Sequence, residues 1–155
     1  MKYDLIEVQG PDDWKDYHFL RRTVLWEAKG RHNYNENHAD ERVKANHPLL
    51  LKLHDRPIGA VRLDEAGHCS GVVRLVSIAP DVQRSGHGSV LSSLIEAYAR
   101  RLGITTLLVN AAPDAVGFYE KMGWKKDIWD ESELTGLAAD CIQMTKEISA
   151  KTINR

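Results

Sequence analysis

Between an apolar run at residues 72–78 and an amphipathic one at residues 90–102 stands Gln83-Arg84-Ser85-Gly86-His87-Gly88. These residue types suit the holding of an anion. Gly86 and Gly88, placed between a strand and a helix, close a short turn with no Cβ atoms over the backbone. The amides of such a turn and of the first helical turn have no partners within the helix. They point outward at the positive end of its dipole. A diphosphate is the anion best able to use several such amides at once. A second able group is Tyr119, carried by a short helix that begins near Asp114 and faces the strand end at Asn110. Its phenol keeps its proton at neutral pH and can give it to a leaving group.

The elements around these residues follow from hydrophobic spacing. Residues 3–8 alternate apolar and polar, as a half-buried strand does. Pro11-Asp12-Asp13 opens a helix, and Trp14, Tyr17, His18, Leu20, Arg21, Val24 and Leu25 continue it at helical spacing over 12–28. Residues 30–47 are polar throughout and predict a mobile loop with one short helix at 40–45. Loops of that length in compact domains are usually functional or disordered. Three strands are predicted at 49–54, 58–63 and 72–78, separated by Asp55-Arg56-Pro57 and Asp64-Glu65-Ala66-Gly67. Connections this short favour an antiparallel meander.

After the glycine turn, Val90, Leu91, Leu94, Ile95, Tyr98 and Leu102 line one face of a helix that Gly103 stops. Residues 104–109 form a continuous apolar run, the mark of a strand covered on both faces. Strand, helix and strand then make a right-handed crossover, so 72–78 and 104–109 should lie parallel. A second short helix at 114–122, a strand near Trp124 and an alternating strand at 141–148 complete the chain. The pattern is α/β: a mixed sheet of about six to seven strands with a central parallel crossover flanked by helices. A crevice is expected where the carboxyl end of strand 72–78 meets the amino end of the following helix.

The 155 residues are most economically one domain spanning 1–155. With 21 Lys and Arg against 22 Asp and Glu, the net charge of −1 suggests no electrostatic grip on nucleic acid or on an anionic membrane. Residues 1–10 carry Lys2, Asp4 and Glu7 and lack the apolar core of an export signal, and no apolar run approaches membrane-spanning length. Cys69 and Cys141 then read as reduced thiols, and the expected location is cytoplasmic. Of the seven histidines, His32, His38, His47, His54 and His68 fall in different segments without a recurring ligand spacing, and neither cysteine sits in a Cys-x-x-Cys pair, so no metal site is expected.

Two motifs together resemble the GNAT superfamily of N-acetyltransferases. Ser77-Ile78-Ala79-Pro80 followed by Gln83-x-x-Gly86-x-Gly88 is similar to its acetyl-CoA signature. Asn110, then Ala115-Val116-Gly117-Phe118-Tyr119-Glu120-Lys121-Met122-Gly123-Trp124, is similar to its second signature. Their order and separation match, as does the order of elements over residues 3–148. The resemblance implies that acetyl-CoA is the co-substrate and that backbone groups of Ile78 and Val76 bond the pantetheine arm. It implies that the amides of Arg84, Ser85, Gly86, His87, Gly88 and Ser89 hold the diphosphate. Asn110 would bond the pantetheine or the strand end, Phe118 would pack on the cofactor, and Tyr119 would protonate the departing thiolate. A neutral amine, on a small molecule or a peptide, would attack the thioester directly, with an amide near Ile78 polarising its carbonyl. Many such folds dimerise.

One feature departs from the family. Many relatives place a glutamate general base on the strand before the turn, where this chain has Arg74, Leu75, Val76 and Ser77. Proton removal then falls to a water chain or to another carboxylate such as Glu27, Glu36 or Glu131. Simpler readings stand beside the functional ones. Gly86 and Gly88 also suit an ordinary turn, Tyr119 could be a packing aromatic, Asn110 a cap, and Arg84 and His87 solvated side chains. Trp14, Trp26 and Trp124 read as core, and Trp129 as exposed. A CoA-binding sensor without turnover is the main alternative. A dinucleotide oxidoreductase is disfavoured because Gly86-x-Gly88-x-x-Leu91 lacks the third glycine. The acceptor wall is expected from residues 30–47 and 127–135, whose carboxylates favour a cationic amine.

Overall fold

The computed structural model describes residues 2–148. Its strands are β1 (Tyr3–Glu7), β2 (Asn46–Leu53), β3 (Arg56–Gly67), β4 (Ser70–Ile78), β5 (Thr106–Ala111), β6 (Lys125–Lys126) and β7 (Ile142–Glu147). Three α-helices accompany them: α1 (Pro11–Arg21), α2 (His87–Arg101) and α3 (Val116–Lys121). The strands form one mixed sheet of seven in the order β1-β2-β3-β4-β5-β7-β6. The chain falls into two compact units. One holds residues 2–64 together with Leu75–Ile95, the other Glu65–Arg74 and residues 96–148.

In the first unit β1, β2 and β3 form the expected antiparallel meander, with Leu5 opposite Leu51 and Leu49 opposite Val61. The hairpin between β2 and β3 turns on His54 and Asp55, both left-handed (φ 48° and 69°), a conformation Asp and His tolerate better than most residues. The core gathers Tyr17, Leu20, Leu50, Ala60 and Ala79, with Ile6, Val8, Trp14 and Val82 packed on it. Helix α1 opens on Pro11 with Asp12 and Asp13 in its first turn, where acidic groups complement the dipole. It passes into a π-turn over Arg22–Trp26 and a 3-10 turn over Glu27–Lys29, and ends at Gly30 with φ 71°. The helical stretch expected at 12–28 is therefore present but changes pitch after Arg21.

The polar segment that follows differs from the mobile loop expected of it. Glu41 is buried within a 3-10 turn over Ala39–Arg42. Its carboxylate pairs with Arg21, accepts from the Tyr17 hydroxyl at 3.0 Å, and meets Arg62 Nη1 at 3.3 Å. Arg62 in turn holds Asp64 through two hydrogen bonds of 2.7 and 3.0 Å. Tyr34 bonds to His18 Nδ1, and its ring sits edge-on to Trp26. Two anchors thus tie the segment to α1, because a buried carboxylate is tolerated only where charge and hydrogen bonds compensate its desolvation.

In the second unit Ser70–Val73 of β4 runs parallel to Thr106–Val109 of β5, as the crossover predicts. β5 pairs antiparallel with β7 over its whole length, and the two-residue β6 pairs with Thr145 and Met144. Leu107, Val109, Ala111, Trp124 and Met144 are buried there. Gly103, at φ 81°, ends the α2 run, and Ile104 N–H reaches back to the Ala99 carbonyl at 3.0 Å.

Candidate active site

The glycine turn is built from the end of β4. Leu75 adopts φ 56°, a left-handed kink just after the four residues that pair with β5. Ser77 beyond it is fully buried, with its hydroxyl on the Leu75 carbonyl at 3.1 Å. Gly59 lets the strand approach β3 closely, since a Cβ there would stand 3.0 Å from Ile78 Cδ1 and 3.4 Å from the Ser77 carbonyl oxygen. After a 3-10 turn at Pro80–Val82, the Gln83 side-chain amide donates to the Ile78 carbonyl at 2.8 Å. The glutamine of the motif therefore closes the strand end onto the turn.

The turn itself has Arg84 at φ 66° and Gly86 at φ 85°. Arg84, Ser85 and Gly86 are exposed, and a Cβ added at Gly86 would meet no atom within 4 Å, so the space beside it is open. Helix α2 starts at His87, which places Gly88 and Ser89 in its first turn rather than before it. The N–H groups of these residues are those an α-helix leaves without internal acceptors. Ser89 Oγ donates to the Gly86 carbonyl at 3.0 Å and braces the turn locally. The His87 side chain is buried, 5% exposed, with Nδ1 2.8 Å from the Tyr3 hydroxyl. Solvated histidine is thus excluded as a description of His87, whereas Arg84 is at the surface.

In the second unit Asn110 stands next to the last residue of β5. Its amide nitrogen donates to Glu133 at 3.1 Å, and its oxygen accepts from Gln143 at 3.0 Å. Glu133 also takes a bidentate pair from Arg74, at 2.8 and 2.9 Å. These Arg74 bonds hold the Glu133 carboxyl below the usual carboxylate range against the opposing effect of burial. Gln143 accepts from the backbone N–H groups of Trp129 and Asp130 at 2.9 Å each, and Trp129 Nε1 donates to the Val109 carbonyl at 3.2 Å. Trp129 is consequently half-buried and anchored, where an exposed ring was expected. The acidic segment of residues 127–135 is fixed to the strand ends by this network.

Tyr119 lies in α3, its ring edge-on to Phe118 (5.5 Å) and to Trp124 (5.2 Å). Burial pushes its phenol up to about 12, so the group is fully protonated near neutrality. Phe118 is 39% exposed, unlike buried Trp124, and offers an apolar face to solvent. Three participants escaped sequence reasoning: Tyr3, the Arg74–Glu133 pair and Gln143. Each acts through a contact distant along the chain, and only the arginine in a strand of apolar residues signalled that a partner was needed.

The described sheet is mixed with one parallel pair, its strand β4 kinks at Leu75, and an open glycine turn precedes α2. The chain belongs to the GNAT acetyltransferase domain family, whose pattern it matches over residues 26–148. It is 27% identical over 101 residues to YyaT of Bacillus subtilis, an uncharacterized protein, covering 65% of this chain and 66% of that one. The Escherichia coli ribosomal-protein-S18-alanine N-acetyltransferase shares the fold at TM-score 0.72 and 15% identity, with 99% of each chain covered. An aminoglycoside 6'-N-acetyltransferase crystallised with coenzyme A does so at TM-score 0.73 and 14% identity, covering 99% of this chain and all of that one. Among the described residues no helix is long and apolar enough to cross a membrane.

Proposed function

We propose that the protein is an acetyl-CoA-dependent N-acetyltransferase that moves the acetyl group directly to a primary amine. The open turn of Arg84 to Gly86 ahead of the α2 N-terminus, in a chain of this family, carries the reading. The amides of Arg84, Ser85, Gly86, His87, Gly88 and Ser89 hold the diphosphate, and backbone groups of Val76 and Ile78 bond the pantetheine arm. The Ile78 carbonyl already accepts from Gln83, which leaves its N–H as the group for the donor. Phe118 packs on the cofactor. The amine nitrogen attacks the thioester carbonyl, the C–S bond breaks, and the thiolate takes the Tyr119 proton. The side chain of Asn110 is committed to Glu133 and Gln143, so its part is to order the strand end beside the arm.

Glu133 is a poor general base, since its pair with Arg74 lowers its affinity for a proton. Water or a weaker-bound carboxylate removes the ammonium proton. The segment of residues 127–140 carries Asp127, Asp130, Glu131, Glu133 and Asp140 and no lysine or arginine, which favours a cationic acceptor. A second reading, a CoA-binding module without turnover, draws on the same strand: β4 offers a paired arginine where a carboxylate base would stand. Release of free CoA thiol from acetyl-CoA, followed across small amines, polyamines and peptides with product masses, separates the two. Transfer to any amine supports the enzyme. CoA binding with no transfer to any supports the module.

A further inference from the structure

We propose that Tyr3 is a positioning residue for the acyl-CoA donor, acting through His87 on the turn that receives the diphosphate; the inference rests on the cofactor reading above. Gly86 and Gly88 lack side chains, so within residues 86–88 the imidazole of His87 is the one group by which the rest of the unit can grip the turn. That ring is buried although Arg84, Ser85 and Gly86 before it are exposed. Its Nδ1 lies 2.8 Å from the Tyr3 hydroxyl, and the two rings pack 5.7 Å apart at 58°.

Tyr3 is itself held firmly. It opens β1, sits in register with Leu53 of β2, and the pairing is extended by His54 N–H on the Lys2 carbonyl at 3.0 Å. A rigid strand therefore fixes the first residue of α2, whose neighbouring amides must converge on the ligand. Without that bond the turn keeps Ser89 Oγ on the Gly86 carbonyl as its local brace. Around two glycines such a turn samples other backbone conformations at little cost. Freed amides must then be ordered on binding, and affinity falls accordingly. The effect is confined to ligands that carry the diphosphate, which separates positioning from a general loss of structure.

Tyr3→Phe removes the hydroxyl and keeps the ring. Calorimetry with acetyl-CoA, and displacement with acetyl-pantetheine (the same thioester arm without the diphosphate), read the two halves of the donor. A hydrogen bond of ordinary worth predicts acetyl-CoA affinity lower by about three- to tenfold, with acetyl-pantetheine affinity unchanged and the thermal midpoint lower by only about 2–4 °C. His87→Leu should match it, and the double variant should lose no more than either alone. Unchanged acetyl-CoA affinity in Tyr3→Phe, or equal losses for both ligands, overturns the positioning role. A wild-type protein that binds acetyl-CoA no better than acetyl-pantetheine overturns the diphosphate assignment itself, a separate and recognisable failure.

Discussion

Replacing Tyr119 by Phe deletes one oxygen and leaves in place the ring that packs against Phe118 and Trp124. The fold should therefore survive, and the change reads the hydroxyl alone. Burial puts the phenol at about 12, against about 8.5 for a free thiol. The phenol therefore still holds its proton when the C–S bond begins to break. As the proposed general acid, the hydroxyl bonds to sulfur while negative charge gathers there and then gives up its proton. A hydrogen bond to a charged partner is worth about 1.5–3 kcal/mol, so kcat should fall roughly tenfold to a hundredfold. Acetyl-CoA affinity should stay within about twofold, because the bond is made only as the thiolate forms. In the wild-type protein this group should cause no alkaline loss of kcat until pH approaches about 12. Release of CoA thiol under saturating acetyl-CoA measures kcat, and calorimetry measures affinity. An unchanged kcat would return Tyr119 to a packing role, and a matching loss of affinity would place its hydroxyl in ground-state binding instead.

Other perturbations follow from the same contacts. Glu41→Gln leaves Arg21 with buried charge that lacks its partner, while Arg62 keeps Asp64, and should destabilise the chain by about 3–5 kcal/mol in urea unfolding; a loss below about 1 kcal/mol would mean the segment is not anchored there. Gly86→Val puts a branched side chain at φ 85° and into the open space beside the turn. It should cost roughly 1–3 kcal/mol of stability and abolish acetyl-CoA binding, and retained affinity would contradict the assigned turn. Burial, aided by Arg21 and Arg22 and opposed by Glu41 and Glu36, holds the His18 pKa below its ordinary value. The unfolded chain then binds the proton first, so stability present above about pH 6.5 is lost as pH falls toward the folded pKa. His18→Gln should flatten that slope in a series of thermal midpoints, and an unchanged slope would assign it to another group.

Much of this architecture is written in local patterns. The strands of the meander, the separate elements of the crossover and the start of α2 each depend on residues within about a dozen positions, where alternation, glycine placement and apolar spacing act directly. Arg84 shows the first limit: a left-handed arginine carries no compositional mark, and only the neighbouring Gly86 betrays the turn. Residues 30–47 show the second. A run rich in Asn, His and charge reads as solvated, yet Glu41 and Tyr34 are fixed because Arg21, Arg62 and His18 arrive from elsewhere in the chain. The same holds for Tyr3 with His87 and for Arg74 with Glu133, pairs separated by 84 and 59 positions. Candidate cofactor residues are legible because a glycine turn between a strand and a helix is local. Their supports are not, because a hydrogen bond between distant side chains leaves no period in the sequence.

Calorimetric titration with acetyl-CoA, and with NAD as the control, tests the cofactor assignment most directly. If the exposed turn before α2 is a diphosphate site for an acyl-CoA donor, acetyl-CoA binds with a dissociation constant on the order of micromolar, NAD does not, and Gly86→Val abolishes the heat. Absence of acetyl-CoA binding in the wild-type protein would contradict the assignment and leave the two motifs as marks of the fold alone.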